Sequence, residues 1–453
     1  MTSHEAQRGN TNRKSKVGES VQTILRGIAN KAKQEPEYRF VNLYGMINEN
    51  LLRESWRDLN KGAAPGIDRL TAAQYRQNLD ENLEDLRIRL KEKRYRAKLV
   101  KRRYIPKGNG KTRPLGLPAL EDKIVQKAAA KLLEAFFEQD FIYDSHGYRP
   151  GKNAKGAIKS LRDELNFGGY SYVVEADIKG FFDHLDHDWL VRMLEKRIND
   201  RNLIRLIRKW LKAGILEPDG MVANPLTGTP QGGIISPILA NIYLHYALDL
   251  WVERVVRRQI HGKLKFVRYA DDFVCAFEDE RDAKRFYTQL PIRLKKFNLE
   301  IAPEKTNIIP FGWHWGGKSE RFAFLGFELL WSKSRKGKPW IKRRTARRKL
   351  RKSLETVGKW IKENRSKKLK ALIAQMNQKL RGYYQYYGVI GNSHGLDAFY
   401  YQVNRLLFKW LNRRSQKRSM TWEQYQRRVR RYLLNPRITE RRILQLKIRG
   451  LRC

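Results

Sequence analysis

The chain has 453 residues, 94 of them Lys or Arg against 47 Asp or Glu, for a formal charge of +47. That excess fits a phosphate-rich partner, and 41% hydrophobic content over this length allows two or three domains with real cores. Two cysteines, Cys275 and Cys453, exclude a disulfide framework and a cysteine zinc site, and no run approaches the ~18 apolar residues of a membrane helix.

Residues 1–20 lack the apolar core of a signal peptide; they are polar, and are expected to stay disordered until RNA binds. From 21 to 100 the pattern is mainly helical, broken at Gly62-Ala63-Ala64-Pro65-Gly66-Ile67-Asp68, a loop by its Gly and Pro content. Residues 104–115 read as two short strands around a Gly108-Asn109-Gly110 turn. A helix follows, with Ile124, Val125, Ala128, Leu132, Leu133, Phe136 and Phe137 at three- and four-residue steps. Strand signals return at 172–178, 265–277 and 322–330.

From 331 onward the pattern predicts helix throughout. Leu369, Leu372, Ile373, Met376, Leu380, Tyr383 and Tyr387 line one face, and Phe399, Val403, Leu406, Leu407 and Trp410 another. Residues 331–453 carry 36 Lys+Arg against 5 Asp+Glu, a local +31. Self-repulsion on that scale opposes a compact fold unless a polyanion neutralises it. Tyr383, Tyr384, Tyr386 and Tyr387 are divided between bundle core, at least half of them, and stacking on bases.

One pattern match fails on context. Gly312-Trp313-His314-Trp315-Gly316-Gly317-Lys318-Ser319 satisfies G-x-x-x-x-G-K-[ST], but 322–327 reads as a strand where a phosphate loop needs a helix N-terminus. A hairpin connection is expected there. Gly110-Lys111-Thr112 is weaker, since Pro114 interrupts any helix.

The chemistry lies in the acids. Phe266-Val267-Arg268-Tyr269 and Phe273-Val274-Cys275-Ala276-Phe277 flank Ala270-Asp271-Asp272, which places two carboxylates at the tip of a predicted hairpin. Alone, an Asp-Asp pair reads as a solvated turn. Asp177, closing the apolar run Tyr172-Val173-Val174-Glu175-Ala176, changes that reading. Strands delivering Asp177 and Asp271 to one edge would hold two Mg2+ ions, roughly 3.5–4 Å apart in phosphoryl-transfer enzymes generally. Such ions take hard oxygen ligands, which Asp supplies. The reaction suggested is nucleotide addition. His184 and His187 follow with no metal-ligand pattern and are read as surface or packing residues.

Asp177-Ile178-Lys179-Gly180-Phe181-Phe182-Asp183, Pro230-Gln231-Gly232-Gly233-Ile234-Ile235-Ser236-Pro237, Tyr269-Ala270-Asp271-Asp272, Lys305-Thr306 and Phe324-Leu325-Gly326-Phe327 occur in the order of reverse transcriptase blocks. Leu380-Arg381-Gly382-Tyr383-Tyr384 and Trp410-Leu411-Asn412-Arg413-Arg414-Ser415 resemble a maturase segment. From about residue 62 to about 422 the chain resembles the group II intron-encoded reverse transcriptase/maturase family, in the subset without an HNH endonuclease domain. The resemblance implies an α+β right-hand polymerase, fingers and palm with an antiparallel sheet, followed by an all-α thumb/maturase bundle. It divides the chain into an arm and helical start of the fingers (1–95), fingers–palm (96–330), thumb/maturase bundle (331–415) and a basic nucleic-acid-binding extension (416–453).

The same resemblance implies roles. Asp177 and Asp271 would ligate both Mg2+ ions, with Mn2+ as a substitute, Asp272 would support them, and the Ile178 carbonyl would add an oxygen. Lys107 and Arg113 would grip the triphosphate. Phe182, five residues after Asp177, would collide with a 2′-hydroxyl and so favour dNTPs. Gln231 would lie near the nascent pair, in a loop opened by Gly232 and Gly233, and Lys305 would give a proton to pyrophosphate. Arg381, Tyr384, Arg413 and Arg414 would contact RNA.

The expected function is RNA-directed DNA synthesis together with binding of intron RNA, assisting its splicing and mobility. Expected partners are intron RNA, a template RNA–primer duplex, a DNA target and dNTPs, with no membrane; monomer and homodimer both stay open. The expected location is bacterial cytoplasm, in ribonucleoprotein or at the nucleoid, with an organelle as the open alternative. Two other functions are weighed: a domesticated relative serving CRISPR adaptation, phage defence or DNA repair, and an RNA-binding splicing cofactor with a dispensable polymerase. An RNA-dependent RNA polymerase is disfavoured by Phe182.

Overall fold

The computed structural model describes residues 20–108, 111–223, 226–229, 232–314, 319–334, 336–414 and 420–440. Residues 1–19 of the expected N-terminal arm, Gln231, and residues 416–419 and 441–453 of the basic extension lie outside them. Two compact units share the chain: Met1–Phe141 with Phe182–Tyr243, and Ile142–Phe181 with Leu244–Cys453.

The first unit opens with α1 (Val21–Gln34), α2 (Glu49–Asp58), α3 (Ala72–Gln77), α4 (Leu79–Lys91), β1 (Val100–Gly108), β2 (Lys111–Leu117) and α5 (Leu120–Asp140). The second begins with α6 (Ala154–Phe167) and β3 (Tyr172–Asp177). The chain then returns to the first for α7 (His187–Glu195), α8 (Arg201–Leu211), β4 (Ile215–Leu216), β5 (Val222–Ala223) and α9 (Ser236–Leu244). The second resumes with π-helical turns at His245–Asp249 and Val252–Val256 and α10 (Arg257–Gln259), then β6 (Leu264–Tyr269), β7 (Asp272–Phe277), α11 (Glu280–Lys295) and β8 (Asn307–Pro310). It ends with β9 (Phe322–Phe324), β10 (Phe327–Lys333), β11 (Pro339–Thr345), α12 (Arg347–Asn364), α13 (Leu369–Tyr387), α14 (Ser393–Leu411) and α15 (Trp422–Arg428).

In the first unit α5 is apolar around most of its circumference, so it becomes the central helix, with α1 and α2 packed on it. Phe40 stacks on Phe136 at 4.7 Å between ring centroids. The sheet runs β2-β1-β4-β5. β1 and β2 form the expected antiparallel ribbon, with Ile105 opposite Arg113. Tyr104 and Ile105 are exposed on it.

In the second unit an all-antiparallel sheet runs β6-β7-β3-β8. Side chains alternate between its faces, so Val173, Val274 and Ala276 pack with Ala157, Ile158 and Leu161 of α6, while Phe277 turns to Phe286 of α11. A second sheet, β11-β10-β9, adds Phe322, Phe324, Phe327, Leu329 and Ile341 to the α6 side. Helices α12–α15 enclose their own core, in which Leu372, Met376, Leu380, Val403 and Leu407 are buried on the faces anticipated from periodicity.

Two readings are corrected. Helix does not begin at 331: β10 runs to Lys333 and β11 pairs with it through Thr345 before α12 starts. The strand Pro339-Trp340-Ile341-Lys342-Arg343-Arg344-Thr345 hides its period of two because one inward residue is an arginine: Arg343 is fully buried against Glu440. Tyr384 is also fully buried, its hydroxyl donating to the Leu434 carbonyl, so it offers RNA no face. Tyr386 is the exposed member of the set.

Candidate active site

Strands β6 and β7 pair from Leu264 opposite Phe277 to Tyr269 opposite Asp272, leaving Ala270 and Asp271 as a two-residue loop. Ala270 takes φ 56°, a left-handed conformation unfavourable for a residue with a Cβ. What holds it there lies on both sides. Segment 144–147 runs along the outer edge of β6, with Arg268 N–H donating to the Asp144 carbonyl and His146 N–H to the Arg268 carbonyl. Gly147 passes so close to the loop that a Cβ would sit 2.2 Å from the Ala270 nitrogen.

On the other side of β7, Asp177 stands directly opposite Asp272. Opposed residues share a face, and the period of two adds Glu175, so three acids project from one face of the sheet. The Asp177 carbonyl accepts from Ala302 N–H, and Lys179 N–H donates to the Glu300 carbonyl. The peptide groups of Ile178 between them therefore face the opposite edge, beside the hairpin tip. Lys305 reaches in and pairs with the Asp177 carboxylate, which favours its charged form.

These acids open into a cleft of about 800 Å³ whose walls include Asn307, Leu325, Arg348, Lys349, Tyr386 and Tyr387. Asp272 is exposed at its outer edge, yet the walls strip much of its water and Asp271 and Asp177 add like charge, so its pKa is pushed up to about 7. Glu175 is also pushed to about 7, by burial first and then by Asp272. Such a cluster resists full ionisation at neutral pH, and a divalent cation bound beside it would relieve the repulsion. Among the described residues no three acid or imidazole groups already close on one point. An open set of this kind suits Mg2+, which takes one or two carboxylates and completes its shell with water and substrate phosphate.

The other expected site residues lie in the first unit. Phe182 is buried, its carbonyl accepting from Thr229 N–H. Gly232 takes φ +113°, and a Cβ there would meet the Gly116 carbonyl at 2.5 Å, so that position requires glycine. Arg113 is exposed on β2, and Lys107 lies in β1. His187 is a packing residue, its Nε2 lying 2.7 Å from the Gly228 carbonyl. In the helical bundle of the second unit Arg381 and Arg413 are exposed, and Arg414 donates to the Lys367 carbonyl.

Sequence reasoning missed Glu175, Asn307, Arg348 and Lys349. The position of Glu175 two residues before Asp177 was the available signal, because it fixes a common face.

Comparison with known proteins adds an independent line. Residues 105–329 match the family described as "Reverse transcriptase (RNA-dependent DNA polymerase)", and 350–432 match "Group II intron, maturase-specific domain". The chain is 30% identical over 467 residues to the group II intron-encoded protein LtrA of Lactococcus lactis subsp. cremoris, covering 83% of this chain and 75% of that one. It is 31% identical over 351 residues to protein YkfC of Escherichia coli (strain K12), covering 70% of this chain and 90% of that one. Over 95 residues, 21% of this chain and 13% of the relative, it is 37% identical to nuclear intron maturase 1, mitochondrial, of Arabidopsis thaliana. Reverse transcriptases as a family work with divalent metal ions. The first matched segment contains the acid-tipped hairpin and the second most of the helical bundle, so this chain belongs to the group II intron-encoded reverse transcriptases/maturases, RNA-directed DNA polymerases joined to a domain for intron splicing.

Proposed function

We propose that Asp177, Asp271 and Asp272, with the Ile178 carbonyl, hold two Mg2+ ions and that the chain thereby copies RNA into DNA from dNTPs. The reading rests on one observation: Asp177 stands opposite Asp272 at the end of β3, beside the Asp271 loop. Bound there, the ions would lower the pKa of the primer hydroxyl and offset charge on the leaving pyrophosphate. The protein supplies the rest. Lys305 gives a proton to pyrophosphate, Lys107 and Arg113 grip the triphosphate, Gln231 and Gly232 line the nascent pair, and Phe182 rejects a 2′-hydroxyl. Arg348 and Lys349 bring fixed positive charge to the cleft of the acids. The partners are intron RNA, a template–primer duplex and a DNA target, gripped mostly through phosphates.

The test is primer extension on an RNA template with Mg2+. Asp271→Asn should lower synthesis by about 100- to 1,000-fold, on the scale of other electrostatic transition-state contacts, while duplex affinity by filter binding stays within about 2-fold. Synthesis at the wild-type rate ends the assignment. Phe182→Ala should raise GTP incorporation relative to dGTP on poly(rC)/oligo(dG); an unchanged ratio removes Phe182 from the sugar check.

A further inference from the structure

Arg268 and Asp249 are both fully buried, and the guanidinium meets the carboxylate through two parallel bonds, Nε to Oδ1 at 2.7 Å and Nη2 to Oδ2 at 2.6 Å. The remaining guanidinium nitrogen, Nη1, donates to the Ala270 carbonyl at 3.0 Å. Arg268 is therefore bonded at once to a fixed acid on a helix and to the strained residue at the catalytic tip. Asp249 closes the π-helical turn His245–Asp249, a form of helix whose extra residue redirects a side chain and recurs at functional sites. Arg268 pairs with Phe273, so both lie on the sheet face opposite to Asp177 and Asp272. The guanidinium works from behind the hairpin and does not enter the cleft.

Stability alone is a poor reason for this pair. Two charges taken wholly out of water lose more hydration than their attraction returns, and apolar side chains of similar volume commonly hold a core as well or better. What the pair offers that apolar packing lacks is direction. A planar fork anchored at Asp249 fixes the third nitrogen in space, and that nitrogen fixes the Ala270 carbonyl. Gly147 lies against the other side, so the loop of Ala270 and Asp271 that leads into Asp272 is held from both.

We propose that Asp249 and Arg268 are positioning residues for nucleotide addition, setting the catalytic hairpin from the rear face of the sheet. This rests on the reading of Asp177, Asp271 and Asp272 as the metal site. The test uses the full chain with Arg268→Lys, which keeps the charge and loses the fork, and the double variant Asp249→Leu/Arg268→Met, which replaces the pair by apolar groups and should fold. Both should show kcat for primer extension reduced about 10- to 100-fold, as expected for a displacement near 1 Å, with KM for dNTP and duplex affinity within about 2-fold. In metal-free protein, hydrogen exchange should quicken at 269–272 while α6 and α13 keep their protection. Wild-type kcat and hairpin exchange in the folded double variant overturn the proposal. So does exchange that quickens throughout the molecule, which marks a structural role alone. Asp271→Asn, run alongside, separates the two claims: if it keeps full synthesis, the metal-site reading fails instead.

Discussion

A single hydrogen at Gly147 decides whether the hairpin can sit where it does. In Gly147→Ala the added methyl would lie 2.2 Å from the Ala270 nitrogen and 2.9 Å from its Cα, both backbone atoms that cannot rotate away. The hairpin or the 144–147 edge must shift. Single-turnover synthesis should fall about 100-fold, the usual consequence of misplacing catalytic groups by about 1 Å, with RNA affinity unchanged. The same substitution at Gly382 has the opposite sign. That glycine is exposed in α13 with nothing within 4 Å of a new Cβ, so Gly382→Ala should stabilise the chain by about 0.5–1 kcal/mol. Urea unfolding measures it.

At the scale of elements, two half-buried acids pin segments of the second unit. Glu440 takes two bonds from Arg343 of β11 and one from Ile390 N–H, tying the end of the described chain to the strand before the helical bundle. Glu440→Gln would leave the Arg343 guanidinium buried without its counter-charge, at a cost of about 3–5 kcal/mol in denaturant unfolding. Asp144 anchors the edge beside β6. Burial raises its pKa, but His146 at 3.7 Å, Lys265 at 2.8 Å and Ser160 at 2.7 Å outweigh that and hold it at about 2. A carboxyl depressed on folding contributes stability above its unfolded pKa, near 3.9, and loses it as pH falls through the folded value. Asp144→Asn should therefore lower Tm at pH 7, the gap closing between about pH 4 and pH 2. These elements also show what the sequence made legible. The β6–β7 hairpin announced itself because apolar runs flank a polar pair. β8 did not, being four residues ending in Pro310. β11 was masked by Arg343, since a buried arginine looks in sequence like any surface charge. Glu175, Arg268 and Asp249 escaped for the same reason: their meaning depends on partners 19 or more positions away, or on which sheet face they share.

Over the whole molecule the governing quantity is charge, and it was the most legible feature of all. A formal +47 concentrated after residue 331 predicts a surface, and the helical bundle displays one. Along α12 and α14 a groove of about 590 Å³ has Leu350, Leu354, Leu406 and Trp410 for its floor and Arg347, Arg351, Lys359 and Lys409 on its rim. Lys362, Arg365, Lys409 and Arg413 all lie within 5.7 Å of the Trp410 ring centre, four cations around one indole, with Glu355 also lining the groove. Such crowding is costly in the free protein and is relieved when phosphates arrive and release their counterions. If the groove is part of the RNA surface, log K should fall linearly with log salt. A protein making 6–10 phosphate contacts loses about 10³- to 10⁵-fold in affinity between 50 and 200 mM. Arg351→Ala and Lys409→Ala should each weaken binding to every RNA sequence alike and reduce the salt slope by about one. The measurement is a filter-binding titration at four salt concentrations on the same RNA. A slope that neither substitution changes would place the RNA elsewhere on the chain.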